Sequence, residues 1–146
     1  SYHYGKADAP GCRRLLRYGA VSVAVMTAVI FMAVMVFAPQ IAGTFLDAEK
    51  PWLVADSADA LRRYGLCYLL LGGNILMGGF LTAVEQPKAA ISISVGRGLL
   101  FQAGALVLLA FTAGGSAIWY APLISEALCA VMAALFLRSV LRKTAG

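Results

Sequence analysis

The hydrophobic positions of the chain fall into four long runs separated by short polar breaks. The first, residues 19–38, holds no charged residue and is followed directly by Pro39. A run of about 20 apolar residues makes roughly 30 Å of helix, the thickness of a hydrocarbon core. Arg13, Arg14 and Arg17 stand just before it, where interfacial anchors would. The second run, 63–84, contains Gly72-Gly73-Asn74 and Gly78-Gly79, small residues of the kind that let helix backbones approach closely in a membrane. The third, 89–113, has Ser92 and Gly96, and Ser94 and Gly98, at four-residue spacing, which predicts a packing face. The fourth, 117–137, carries Trp119, Tyr120 and Pro122, and the proline predicts a kink one turn before Glu126.

Between the first two runs the pattern weakens. Ile41, Phe45 and Leu46 make one short apolar face, and Asp47, Glu49, Lys50 and Pro51 follow. This predicts a short interfacial helix and then a loop, with Trp52 at the membrane–water boundary. Glu85-Gln86-Pro87-Lys88 reads as a polar turn, Gly114-Gly115-Ser116 as a short loop, and residues 1–6 as a polar, loop-like opening of a segment cut from a longer protein. The expected fold class is all-α, a polytopic transmembrane helical bundle of four spans.

Composition agrees with the pattern and narrows the function. The chain has 146 residues, 61% of them hydrophobic and only 13% charged, with a mean hydropathy of +0.81. A soluble domain is about 45–50% apolar and about 25% charged, and so small a globule has no room to hide this much apolar surface. The bilayer is therefore the expected partner. The net charge of +5 fits membrane topology and predicts no nucleic-acid binding. Lys6, Arg13, Arg14, Arg17, Lys88, Arg138, Arg142 and Lys143 gather on one side of a four-span arrangement. Lys50, Arg62 and Arg63 lie opposite, offset by Asp47, Glu49, Asp56 and Asp59. The positive-inside rule then places both ends in the cytoplasm, as a multi-pass protein of the inner, plasma membrane.

Candidate chemistry is sparse. His3 is the only histidine, and Cys12, Cys67 and Cys129 are far apart, so no metal site is expected. No nucleophile–base pair, phosphate loop or HExxH pattern is present, and the chain is not expected to be an enzyme. Arg97 and Glu126 are the ionisable residues deep in a span. A charge at the bilayer centre costs about 2.5–3.5 kcal/mol on insertion scales, which selects for a partner or a water-filled cavity. Their depths differ by roughly 5 Å on adjacent antiparallel helices, a gap that two long side chains can bridge. They are read as cavity or ion-relay candidates, against a purely structural pair or an arginine reaching for the headgroups. Asn74 and Gln102, neutral and polar inside spans, are read either as interhelical hydrogen-bonding groups or as substrate contacts. The methionines at 26, 32, 35, 77 and 132 suit an adaptable pocket or plain packing.

Several segments carry a resemblance. Ser1-Tyr2-His3-Tyr4-Gly5-Lys6, followed by Arg13-Arg14-Leu15-Leu16-Arg17-Tyr18, resembles the "SYNYGA…K" loop and basic run after the eighth helix of the multidrug and toxic compound extrusion (MATE) transporters. Gly79-Phe80-Leu81-Thr82-Ala83-Val84-Glu85-Gln86-Pro87-Lys88, with 89–97 after it, is similar to that family's "GFxxAxxxPKxAxxxSxxRG" segment across helices ten and eleven. Ala117-Ile118-Trp119-Tyr120-Ala121-Pro122-Leu123-Ile124-Ser125-Glu126 resembles its "GIWxAxPxxE" start of helix twelve. Departures fall at His3, Lys6, Thr82 and Glu85, where many members have Asn, Ala, Gln and Gly, and near Gly104, where a proline is common.

The resemblance implies a twelve-helix, two-lobe exchanger of inward H⁺ or Na⁺ for outward organic cations or drugs, with no other cofactor. This chain would be helices nine to twelve, a C-terminal fragment partnered by an absent N-terminal lobe and by helices seven and eight. The family's cation-binding carboxylates lie mostly in helices one, seven and eight. Two other readings stand beside this one. One is a lipid or polysaccharide flippase of the same superfamily, whose anionic substrates would call for more basic residues than Arg97 inside the spans. The other is a small four-helix membrane subunit without transport activity.

Overall fold

The computed structural model describes residues 1–46 and 50–143. Every regular element among them is helical: α1 (Tyr2–Gly5), α2 (Ala9–Phe45), α3 (Pro51–Gly65), α4 (Tyr68–Ala83), α5 (Pro87–Val95), a π-helical turn (Gly96–Leu100), α6 (Phe101–Thr112), a 3-10 segment (Gly115–Tyr120) and α7 (Ala121–Lys143). Joined across their short breaks they give four rods long and apolar enough to cross a membrane: Ala9–Phe45, Pro51–Ala83, Pro87–Thr112 and Gly115–Ser139. Asp47 and Glu49, counted in the charge balance, lie outside the described residues, as do the side chains of Arg142 and Lys143.

Prolines mark the helix starts. Pro10, Pro51, Pro87 and Pro122 each occupy a first turn, where the missing N–H costs nothing. The chain passes from 3-10 to α geometry at Ala121, and the proline lies in the first turn of α7.

Pro39 is the exception, because it lies inside a helix. The helix does not end at residue 38. It runs on through Pro39 to Phe45, 37 residues in all, or roughly 55 Å at 1.5 Å per residue. The carbonyl that Pro39 leaves without its helical donor belongs to Met35, and Arg62 Nε on α3 donates to it at 3.3 Å. The loop expected after residue 46 is also shorter than predicted, because α3 begins at Pro51. The polar face of α3 had obscured it. Ala58, with Val54 and Leu61 on the same stripe, packs on Ala38 and Ala42 of α2.

The break between α4 and α5 is tight. Glu85 adopts φ 58°, the left-handed conformation that glycine usually supplies at a helix end. Gln86 N–H donates to the Leu81 carbonyl at 2.8 Å and Glu85 N–H to the Thr82 carbonyl at 3.2 Å, satisfying the last turn of α4. Around this turn Leu81, Val84, Ala89, Ala90, Ile93 and Ala133 form a core, with Tyr4 and Phe136 packed against it. The N-terminal turn, the α4–α5 turn and the later part of α7 thus share one end of the bundle. At the other end Arg63 Nη1 of α3 donates to the Ser116 carbonyl at 3.3 Å.

Small residues set the helix approaches, though fewer of them than expected. A Cβ on Gly72 would collide with Thr27 and with Val23 Cγ1 of α2, at 2.6 Å from the latter, whereas Gly73, Gly78 and Gly79 face open space. In the third rod only Gly96 of the four predicted packing residues is buried. Ser92, Ser94 and Gly98 are exposed, and the packing face is Ala89, Ala90, Ile93 and Gly96 instead. Elsewhere large apolar side chains point outward, including Val25, Val29 and Met32 on α2 and Val107 and Phe111 on α6. Such a surface suits a lipid solvent.

Candidate functional site

Three of the four sequence candidates meet in the middle of the bundle. α4 supplies Asn74, the π turn supplies Arg97 and α7 supplies Glu126. Asn74 Nδ2 donates to Glu126 Oε2 at 2.7 Å and to the Glu126 backbone carbonyl at 2.8 Å. Arg97 Nε faces Glu126 Oε1 at 3.9 Å, within ion-pair range but beyond hydrogen-bond length. The Glu126 side chain is only 8% exposed and that of Arg97 30%. Arg97 Nη1 is fully covered and makes no hydrogen bond among the described residues.

The fourth candidate stands apart. Gln102, half-buried in α6, makes no side-chain hydrogen bond to this cluster among the described residues. The methionines do not gather into one pocket. Met26 and Met32 are exposed on α2, while Met77 and Met132 pack against the core beside the α4–α5 turn.

The local backbone explains how Arg97 arrives. In an α-helix the Phe101 amide would bond to the Arg97 carbonyl. Here it bonds to Gly96, one residue farther back, which opens the π turn. The Arg97 carbonyl accepts instead from Ser125 Oγ at 3.1 Å. One turn along α7, the Cys129 thiol points at the Ile93 carbonyl at 3.8 Å. Ser125 and Cys129 therefore stitch α7 to the third rod while Glu126 turns toward α4. Sequence reasoning missed both residues. Their four-residue spacing on α7 was the available signal, since it places them on one helix face beside Glu126.

The buried environment gives the cluster its character. Taking a carboxylate and a guanidinium out of water costs several kcal/mol per ion unless geometry and hydrogen bonds compensate. Glu126 is compensated on Oε2 by Asn74 and by charge from Arg97. Arg97 is compensated less well. The arrangement can hold a carboxyl in a fixed place while its charge partner stays loosely engaged.

A cavity of about 570 Å³ lies elsewhere, between α1, the start of α2 and the end of α4, with Asp8, Arg13 and Arg17 among its walls. Neither Arg97 nor Glu126 lines it.

The family model described as MatE matches residues 1–108. That match includes Asn74, Arg97 and Gln102 and stops before Glu126. No curated protein and no solved structure matches the chain.

Proposed function

The chain belongs to the MatE family, whose members are membrane transporters and not enzymes, and from that premise we propose that it is the C-terminal part of a secondary active efflux transporter. The family match over residues 1–108 carries this reading. The transporter would exchange inward H⁺ or Na⁺ for outward organic cations or drugs by alternating access, one lobe rocking against the other. The four rods would supply part of one lobe and a wall of its cavity. The absent partners would be the N-terminal lobe and helices seven and eight of the same protein. Both ends of the chain would face the cytoplasm across the inner membrane, in keeping with the positive-inside rule.

The half-buried Arg97 and the buried Glu126 and Asn74 support this reading over that of a static subunit. Ionisable residues inside spans are costly and tend to mark substrate or ion pathways. Arg97 as the basic residue inside the spans weighs against an anionic-lipid flippase.

The reading frame upstream of Ser1 provides the first test. A frame that continues through roughly eight further apolar spans of about 20 residues each supports the transporter. The full protein should then export a fluorescent organic cation from vesicles that carry an imposed H⁺ or Na⁺ gradient. A start codon just upstream of Ser1, or a full protein that gives no gradient-dependent export, overturns it.

A further inference from the structure

Resting on that transporter reading, we propose that Glu126 is a proton-exchange site and that Arg97 is its tethered counter-ion, a cation carried by the chain itself. A purely structural arginine–carboxylate pair closes to about 2.7–2.9 Å, often through two parallel bonds. This pair stands at 3.9 Å, with Arg97 Nη1 covered and unbonded among the described residues. It balances charge without locking.

The carboxyl itself is held by another group. Asn74 donates to Oε2 and to the Glu126 carbonyl, and both atoms remain acceptors whether or not Glu126 carries a proton. Oε1 is the free oxygen. When it takes a proton from water an O–H bond forms, Glu126 becomes neutral, and Arg97 keeps its charge without a counter-charge. The site passes from net zero to net +1, and loss of the proton reverses this. A protonated site therefore repels an organic cation and a deprotonated one does not. That is the electrostatic condition for exchanging one against the other.

The surroundings favour a proton over a metal cation. The groups aimed at the carboxylate are N–H donors from Asn74 and Arg97, whereas a hard metal cation needs several oxygen ligands. Other titratable groups within electrostatic range are Tyr64 of α3, Cys67 at the α3–α4 junction and Cys129 of α7. Tyrosine and cysteine are ordinarily uncharged at neutral pH, so Arg97 is the charge that Glu126 meets. The π turn adds a mechanical link. The Arg97 carbonyl is tied to Ser125, the neighbour of Glu126, so a displacement of Arg97 is felt on α7.

The test is infrared difference spectroscopy of the full-length protein in nanodiscs, stepped through pH, beside export assays on the same preparations. The wild type should show a protonated-carboxyl band that Glu126→Gln removes. In Arg97→Gln the pH dependence of the band should differ from wild type, because the charge beside the carboxylate is gone. Arg97→Lys, which keeps the charge and guards against a folding defect in the first variant, should stay near wild type. A Glu126→Gln spectrum identical to wild type overturns the proposal. So does an Arg97→Gln midpoint that does not move, or a change at constant pH driven by Na⁺ alone. A Glu126 band in a protein that exports nothing would keep the proton site and sink the efflux reading, and export without that band would do the reverse.

Discussion

Arg62 donates its Nε to the carbonyl of Met35, the one backbone group that Pro39 deprives of its helical donor. A side chain of α3 thus repairs the proline defect in α2, and the long helix passes through. The relationship makes a prediction in the form of a double-mutant cycle. Arg62→Leu should destabilise the protein by about 1 kcal/mol, the net worth of one hydrogen bond at a half-exposed site. In a Pro39→Ala background the helix recovers its own donor, and the same change should cost a few tenths at most. Unfolding in mixed micelles reads both values, and equal costs in the two backgrounds would reject the repair.

Asn74 holds Glu126 by two hydrogen bonds across α4 and α7. Replacing it with Ala leaves a buried carboxylate oxygen and a buried carbonyl without that donor. Interhelical hydrogen bonds in membranes average about 0.6 kcal/mol, but stranding a buried charged acceptor costs about 1–3 kcal/mol. The second effect should win, so Asn74→Ala is expected to lose about 1–2 kcal/mol. Gln102→Ala, at a half-buried residue outside the cluster, should lose less than half of that when measured the same way.

Two adjacent glycines provide a sharper contrast. A Cβ at Gly72 runs into Thr27 and Val23 on α2, whereas one at Gly73 meets nothing within 4 Å. Gly72→Ala should therefore separate the helices and cost about 1–3 kcal/mol. Gly73→Ala should be neutral or stabilising by up to about 1 kcal/mol, because alanine is the better helix former. Thermal unfolding of the two variants side by side decides it. Similar losses in both would mean that the α2–α4 approach is looser than described.

What could be read from the sequence, and what could not, divides along physical lines. The apolar runs announced the spans, because twenty residues without charge have few other uses in so small a chain. The cost of burying charge singled out Arg97 and Glu126, and their depths brought them within reach of each other. Helix continuity was not legible at Pro39, because the donor that permits it comes from Arg62, far along the chain. The helix α3 was hidden because its outward face is polar and only a narrow stripe around Ala58 is buried. Nor could spacing tell Gly72 from Gly73, or Gly96 from Gly98, since which glycine meets a neighbour depends on the rotation of each helix. The π turn was invisible for a similar reason. It exists because Ser125 of another rod takes up the carbonyl that the turn releases.

The start of α2 offers a pH-dependent test outside the membrane. Asp8 caps this helix: its Oδ1 accepts from the Gly11 amide at 2.9 Å, and its Oδ2 lies 2.7 Å from His3 Nδ1. The Gly11 bond first, and the His3 contact second, hold the Asp8 carboxyl below its ordinary range. A carboxyl that is more acidic in the folded state contributes stability that is present above its unfolded value, about 3.9. That contribution is lost as pH falls through the lower, folded value. The cap should therefore hold at neutral pH and fail only in acid, below about pH 4. Asp8→Asn keeps a capping oxygen but cannot titrate. Amide exchange of Ala9, Gly11 and Cys12, compared between the two proteins at each pH, should be slower in wild type from neutral pH down to about 4, where the charge adds to the cap, and the two proteins should converge below that as Asp8 takes up its proton. A constant difference at every pH would mean that the carboxyl's charge has no part in holding the turn.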